Sequence, residues 1–264
     1  MVVAGIDIGS MSAKALVMSG DDIVGWAVTL TTPDVAGTAR QILDKVLESH
    51  GLRFEDVDYI VSTGYGRIRV PFAHRHLTEI SCHARGTASV FPNVRTLLDM
   101  GGQDCKVINC DGTGKVQKFL LNDKCAAGTG RYLERVGATL GVPLEQIGPR
   151  SLDGSDATTH IDSFCAVFAQ RDVMILRQQG KATNDILAAA HEALVTRISA
   201  LVNRLSITPE FSVSGGIAKN PGVVKRLEKS LNIEIRVWKE PQVIGALGAA
   251  LFARDGAKKK AAQA

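Results

Sequence analysis

No stretch of this 264-residue chain approaches the roughly 18 to 20 apolar residues that a membrane-spanning helix needs. The opening Met1-Val2-Val3-Ala4-Gly5 reads as the start of a strand and not as a secretion signal, so a soluble, cytoplasmic protein is expected. There is no Walker-type phosphate loop, and no Gly-x-Gly-x-x-Gly follows a strand in the setting of a dinucleotide fold. An excess of one charge is also missing. The formal net charge is +4, and Lys258-Lys259-Lys260 in an Ala/Lys tail supply three of those units, which leaves +1 for the rest. That balance makes no case for nucleic acid. The five cysteines are too few and odd in number, which argues against a disulfide framework and leaves metal binding or catalysis open. What the chain does have is 45% hydrophobic residues, enough for one large core or two linked ones.

It also has an internal repeat. Ile6-Asp7-Ile8-Gly9-Ser10-Met11-Ser12-Ala13-Lys14 and Leu98-Asp99-Met100-Gly101-Gly102-Gln103-Asp104-Cys105-Lys106 share an apolar residue, Asp, an apolar residue, Gly, a small residue, and Lys seven positions after the Asp. Apolar runs flank both, so each reads as a buried strand entering a tight turn and leaving as a second strand. Glycine there lets the backbone approach a ligand, and its amides can face an anion. Aspartate at the strand end suits a hydrated divalent metal such as magnesium. One such loop is common hairpin chemistry; two can grip a nucleoside polyphosphate from opposite sides.

The surrounding pattern extends the repeat. Strands are expected near residues 3–9, 12–19 and 23–30, a helix over about 34–50 ended by Gly51, a strand at 59–62 and a helix near 77–90. Then strands near 95–100, 105–109 and 115–121 enclose a hairpin turn at Asp111-Gly112. Helical stretches over 129–140 and 163–205 lead to a strand at 211–214, a helix at 223–231, a strand at 234–238 and a last helix at 243–252. Three hairpin strands followed by alternating helix and strand, done twice, imply an α/β fold with a mixed sheet in each half and a ligand cleft between the halves. The expected division is residues 1–94 with 240–256 as one lobe, 95–239 as the other, and 257–264 as a disordered basic tail. Ser214-Gly215-Gly216 ends a strand where a base or ribose can lie against the backbone, although a plain strand–helix turn has the same pattern. The small-residue face Gly245-Ala246-Leu247-Gly248-Ala249-Ala250 suggests close helix packing, at a hinge if there are two lobes.

With these residues in hand, the chain resembles the sugar kinase, heat-shock and actin superfamily of ATPases. The two Asp hairpins look like its phosphate loops and Gly215-Gly216 like its adenosine motif. The resemblance implies two duplicated ribonuclease-H-like lobes with ATP and magnesium between them. Two further segments narrow it. Cys125 precedes Ala126-Ala127-Gly128-Thr129-Gly130, and Cys165 precedes Ala166-Val167-Phe168-Ala169; both lie at or just before a helix start, where the dipole stabilises a thiolate or an anionic cluster. This pair is similar to the ATP-dependent activators of 2-hydroxyacyl-CoA dehydratases and the related ATPase subunits of benzoyl-CoA reductase.

That family implies one 4Fe–4S cluster per dimer, held by Cys125 and Cys165 of two protomers, in a homodimer or a heterodimer with a homologous subunit. Ferredoxin or flavodoxin is the implied electron donor, and a dehydratase or reductase component the partner. It implies that Asp7 and Asp99 hold hydrated magnesium or orient water, and that Gly9, Ser10, Ser12, Gly101 and Gly102 contact phosphate. Gly215, Gly216 and Lys219 would contact adenosine, and Gln103 and Asp104 would position the attacking water. Lys14 either reaches phosphate or is solvated on the outgoing strand. Met11, Cys105 and Gln170-Arg171 depart from the family pattern. Cys82, Cys105 and Cys110 read as structural. A small-molecule kinase of the same superfamily, and a nucleotide-binding regulator without a cluster, are the competing readings.

Overall fold

The computed structural model describes residues 1–122, 129–161 and 166–263. In chain order the elements are β1 (Val2–Ile8), β2 (Ser12–Ser19), β3 (Asp22–Leu30), α1 (Val35–Glu48), β4 (Tyr59–Thr63), β5 (Arg75–His76) and α2 (Glu79–Val90). Then follow β6 (Thr96–Met100), β7 (Cys105–Cys110), β8 (Val116–Leu121), α3 (Gly130–Leu140), α4 (Leu144–Leu152), α5 (Ala166–Gln178) and α6 (Thr183–Asn203). The chain closes with β9 (Phe211–Ser214), α7 (Pro221–Leu231), β10 (Ile235–Val237) and α8 (Ile244–Ala261).

The strands form two five-stranded mixed sheets, ordered β3-β2-β1-β4-β5 and β8-β7-β6-β9-β10. Each is a three-strand meander followed by two strands added in parallel beside the first, so the duplication seen in two loops extends to whole sheets. The chain divides into two compact units. One holds Met1–Arg95, Ile108–Lys118 and Trp238–Ala264; the other holds Thr96–Val107 and Phe119–Val237.

Side-chain alternation explains how the first sheet is covered. Ala4, Ile6 and Ile8 of β1, with Ala13, Ala15 and Val17 of β2, pack with Val35, Ala39, Ile42, Leu43 and Val46 of α1. Asp34 caps that helix, its Oδ1 accepting from Gly37 N at 2.9 Å. Val3, Leu16 and Met18 point to the other face and pack with Ala246, Leu247, Ala249 and Ala250 of α8. A β-carbon on Gly5 would strike the backbone of Ala246 and Ala250, and one on Gly248 would strike the backbone of Cys82 in α2. The small-residue face is therefore a packing seam inside one unit, where helix backbones come too close for larger side chains. In the second unit, β6, β7 and β9 share a core with α3, α4, α6 and α7 built on Leu98, Val107, Tyr132, Ile147, Leu194, Phe211 and Val223.

Four expectations need correction. Residues 257–264 were expected to be a disordered tail, but α8 continues to Ala261. Alanine and lysine favour helix, Ala257 is buried, and the three lysines oppose the negative end of the helix dipole. Residues 108–118 fall with the first unit and not with the second. Arg85 Nη1 of α2 donates to Thr113 O at 2.9 Å, which ties the hairpin tip there. The tip itself is Asp111–Lys115, with Gly114 at φ +80° in place of Gly112, and Asp111 Oδ1 accepting from the Thr113 and Lys115 amides. Finally, α4 lies where no helix was expected; it contains Pro149, and buried Ile147, Gly148 and Ser151 hold it in place.

Candidate functional site

Both Asp hairpins are built alike. In the first unit β1 and β2 pair antiparallel with Asp7 directly opposite Lys14. Gly9 N donates to Ser12 O at 3.0 Å to close the turn. Lys14 Nζ lies 3.4 Å from Asp7 Oδ2 and 3.2 Å from Ser12 O, so the lysine folds back on its own hairpin. In the second unit Gly101 N donates to Asp104 O at 2.9 Å, the same closure. Lys106 Nζ sits 2.8 Å from Asp104 Oδ1 and 3.3 Å from Asp99 Oδ2. The turn amides of Ser10, Met11, Gly102 and Gln103 donate to no described residue. Among the described residues each hairpin therefore leaves two N–H groups without an acceptor at the end of a buried Asp strand, an arrangement suited to an anion.

The neighbouring parallel strand finishes each site. β4 pairs with β1 so that Thr63 lies opposite Asp7, and β9 pairs with β6 so that Ser214 lies opposite Asp99. The next residue in each case is a glycine with positive φ, +84° at Gly64 and +87° at Gly215. A β-carbon on Gly64 would meet Ile8 O and approach Asp7 Oδ1, and one on Gly215 would meet Met100 O and approach Asp99 Oδ1. Only glycine fits either position. Ser214 Oγ also donates to Asp99 Oδ1 at 3.1 Å.

Of the residues singled out in sequence, Asp7, Gly9, Ser10, Ser12 and Lys14 gather at the first hairpin. Asp99, Gly101, Gly102, Gln103 and Asp104 gather at the second, with Gly215 beside them. Gly216 and Lys219 continue from Gly215 as a short 3-10 turn on the surface. Sequence reasoning did not single out Lys106, Ser214 or Gly64. The signals were there: Lys106 closes the repeat, and Thr63-Gly64 matches Ser214-Gly215 in its place after a strand.

Two supports anchor the second hairpin and the glycine loop. The first amides of α3 donate into the hairpin, Gly130 N to Gly101 O at 3.2 Å and Arg131 N to Gly102 O at 3.3 Å. Those bonds satisfy helix-end donors and join the second hairpin to α3. Beyond Lys219, Asn220 caps α7, its Oδ1 accepting from Val223 N at 3.1 Å, and its Nδ2 donates to His191 Nε2 at 3.0 Å. His191 Nδ1 donates to Leu187 O at 2.7 Å, which fixes the neutral tautomer. Burial, aided by the nearby Arg226 charge, pushes the His191 pKa down to about 4.

Cys125 and Cys165 lie outside the described residues. The other three cysteines are buried. Burial pushes the Cys82 thiol up to about 12 and raises those of Cys105 and Cys110 as well. Such thiols stay protonated, and a protonated thiol is a poor metal ligand. Among the described residues no group of three or more His, Cys, Asp or Glu side chains is placed to hold a metal ion. Magnesium needs no such cage: one or two carboxylates, nucleotide phosphates and water suffice, and Asp7 in one unit and Asp99 in the other are oxygen donors of that kind.

Residues 4–253 match the BadF/BadG/BcrA/BcrD ATPase family. The chain belongs to that family. Its similarity to the activator of lactoyl-CoA dehydratase from Anaerotignum propionicum is 40% identity over 98% of this chain and 100% of the relative. A solved structure of the activator of the 2-hydroxyisocaproyl-CoA dehydratase from Clostridium difficile with bound ADPNP superposes with a TM-score of 0.95 at 37% identity, covering 100% of this chain and 98% of that one. A glucokinase of the ROK family from Streptomyces griseus, in complex with glucose and AMPPNP, matches with a TM-score of 0.64 at 15% identity over 97% of this chain and all of that one. That level shows the shared actin-like ATPase fold alone. Among the described residues of this BadF/BadG/BcrA/BcrD ATPase, no helix is long and apolar enough to cross a membrane.

Proposed function

We propose that this ATPase drives electrons, one at a time, into a 2-hydroxyacyl-CoA dehydratase or a benzoyl-CoA reductase component. The observation that carries this reading is the end-to-end similarity to dehydratase activators. The open amides of Ser10, Met11, Gly102 and Gln103 would receive the phosphates of ATP. Asp7 and Asp99 would hold hydrated magnesium, and Gln103 and Asp104 would position the attacking water. Gly215, Gly216 and Lys219 would line the adenosine side, with the Asn220–His191 bond bracing the loop.

We assign Cys125 and Cys165, the two cysteines at the positions of the family's cluster motif, to a 4Fe–4S cluster shared by two protomers. When bound, the cluster supplies a site that holds and releases one electron. Two cysteines per chain cannot make a four-thiolate site, so the protein would act as a homodimer or beside a homologous subunit. Ferredoxin or flavodoxin would deliver the electron. The α3 amides that grip Gly101 and Gly102 would carry the state of the nucleotide toward Cys125.

Anaerobic purification tests the assignment. About four irons per dimer by elemental assay, lost when Cys125 and Cys165 are each changed to Ala, are expected. An iron-free protein with unchanged fold would favour the regulator reading, and a phosphorylated small-molecule product would favour the kinase.

A further inference from the structure

The two hairpins align position by position, and one aligned pair differs in charge: Ser12 in the first stands where the second has Asp104. The first hairpin sets one carboxylate against one ammonium, Asp7 against Lys14. Among the described residues the second sets two carboxylates, Asp99 and Asp104, around one ammonium, that of Lys106. Its lysine is also the more deeply held. The Lys106 side chain is 2% exposed, against 13% for Lys14, and lysine is almost never buried this far without paired carboxylates.

The acceptors in this cluster are used unequally. Both oxygens of Asp99 are engaged, Oδ1 by Ser214 and Oδ2 by Lys106. Asp104 meets Lys106 through Oδ1, while its Oδ2 accepts from no described residue. Asp104 follows the open amides of Gly102 and Gln103 in the turn, and its side chain is 13% exposed. One carboxylate is tied back and the other is held by one oxygen with the second presented. A lysine suits the task because its three donors point apart and reach two carboxylates separately, which a planar guanidinium does less readily.

We infer that Lys106 is a positioning residue for ATP hydrolysis, acting through Asp104. It holds Asp104 by Oδ1 and so aims Oδ2 at the attacking water. Asp99 then serves as the fixed support of the cluster, and the neutral Asp7–Lys14 pair does not share the role. In the step this prepares, the water oxygen bonds to the terminal phosphorus as the bond to the β–γ bridging oxygen breaks. ADP leaves with that electron pair, and the proton given up by water passes to Asp104 Oδ2. The inference rests on the proposed reading of the chain as an ATPase with Asp104 at the attacking water.

A double-mutant cycle on the whole protein tests it, with kcat and KM for ATP measured for K106M, D104N and the K106M/D104N pair, and K106R as the conservative variant. Affinity for a fluorescent ADP analogue gives a readout independent of turnover. D104N and K106M should each lower kcat by about 100-fold or more, in the range for a lost proton acceptor, with analogue affinity within about threefold of wild type. The double variant should be no slower than D104N, and K106R should recover part of the loss. If K106M fails to fold because two carboxylates are left facing each other, the double variant relieves that repulsion, and its comparison with D104N decides. Wild-type kcat in K106M, or losses that multiply in the double variant, would overturn the role of Lys106 while leaving Asp104 in place. Wild-type kcat in D104N would overturn the reading of Asp104 and the inference with it.

Discussion

His191 offers a prediction with a magnitude and a sign. Its ring is buried, donates to Leu187 O and accepts from Asn220, so the folded protein resists protonating it until about pH 4. In the unfolded chain a histidine titrates near 6.5. Between those values the unfolded state binds a proton that the folded state refuses, so stability must fall as pH falls through this window. For this single group the loss is about 2 kcal/mol between pH 7.5 and pH 5, and about 3 kcal/mol by pH 4. Urea unfolding of wild type and H191Q at both pH values isolates it, because the glutamine does not titrate and still offers Asn220 an acceptor. The wild type should lose about 2 kcal/mol more than H191Q on going to pH 5. Equal losses in the two proteins would refute the argument that His191 is held neutral by burial.

Other substitutions test the packing around the candidate site. Gly215→Ala forces a side chain into a left-handed position against Met100 O, so stability should drop by about 1–3 kcal/mol and nucleotide affinity with it; an unchanged titration with an ADP analogue would show that the loop tolerates a side chain. Gly5→Ala pushes β1 against the backbone of α8 and should cost about 2 kcal/mol or more in a denaturant melt. A melt identical to wild type would mean that α8 is free to shift. Cys105→Val replaces one small buried apolar group by another and should change stability by less than about 1.5 kcal/mol, with iron content unchanged. Loss of iron would place Cys105 among the ligands and overturn its reading as a structural residue.

Much of the fold was legible because the repeat is written twice in the same grammar. Alternating apolar residues set the strands, and Asp34 and Gly51 set the limits of the first helix. The parts that were not legible share a cause: they depend on partners distant in sequence. α4 survives Pro149 because of what Ile147 packs against, and the basic tail is helical because Ala257 is buried. β5 is two exposed residues that pair with β4 and leave no pattern to read. At the site, the Asp and Gly positions stood out because backbone chemistry restricts what can occupy them. Lys106 did not, because a lysine two residues along a strand looks solvated until two carboxylates are seen around it. Gly64 was hidden for the same reason, since its meaning lies in Ile8 and Asp7 on the neighbouring strand.

Whether ATP hydrolysis by this chain drives electron delivery is read directly in one anaerobic assay. The dithionite-reduced protein is mixed with a 2-hydroxyacyl-CoA dehydratase component from the same host, and dehydration of the acyl-CoA is followed with ATP, with ADPNP and without nucleotide. Dehydration is expected with ATP alone, and none from the variant lacking Cys125 and Cys165. Equal dehydration with ADPNP, or activity retained without the two cysteines, would contradict it.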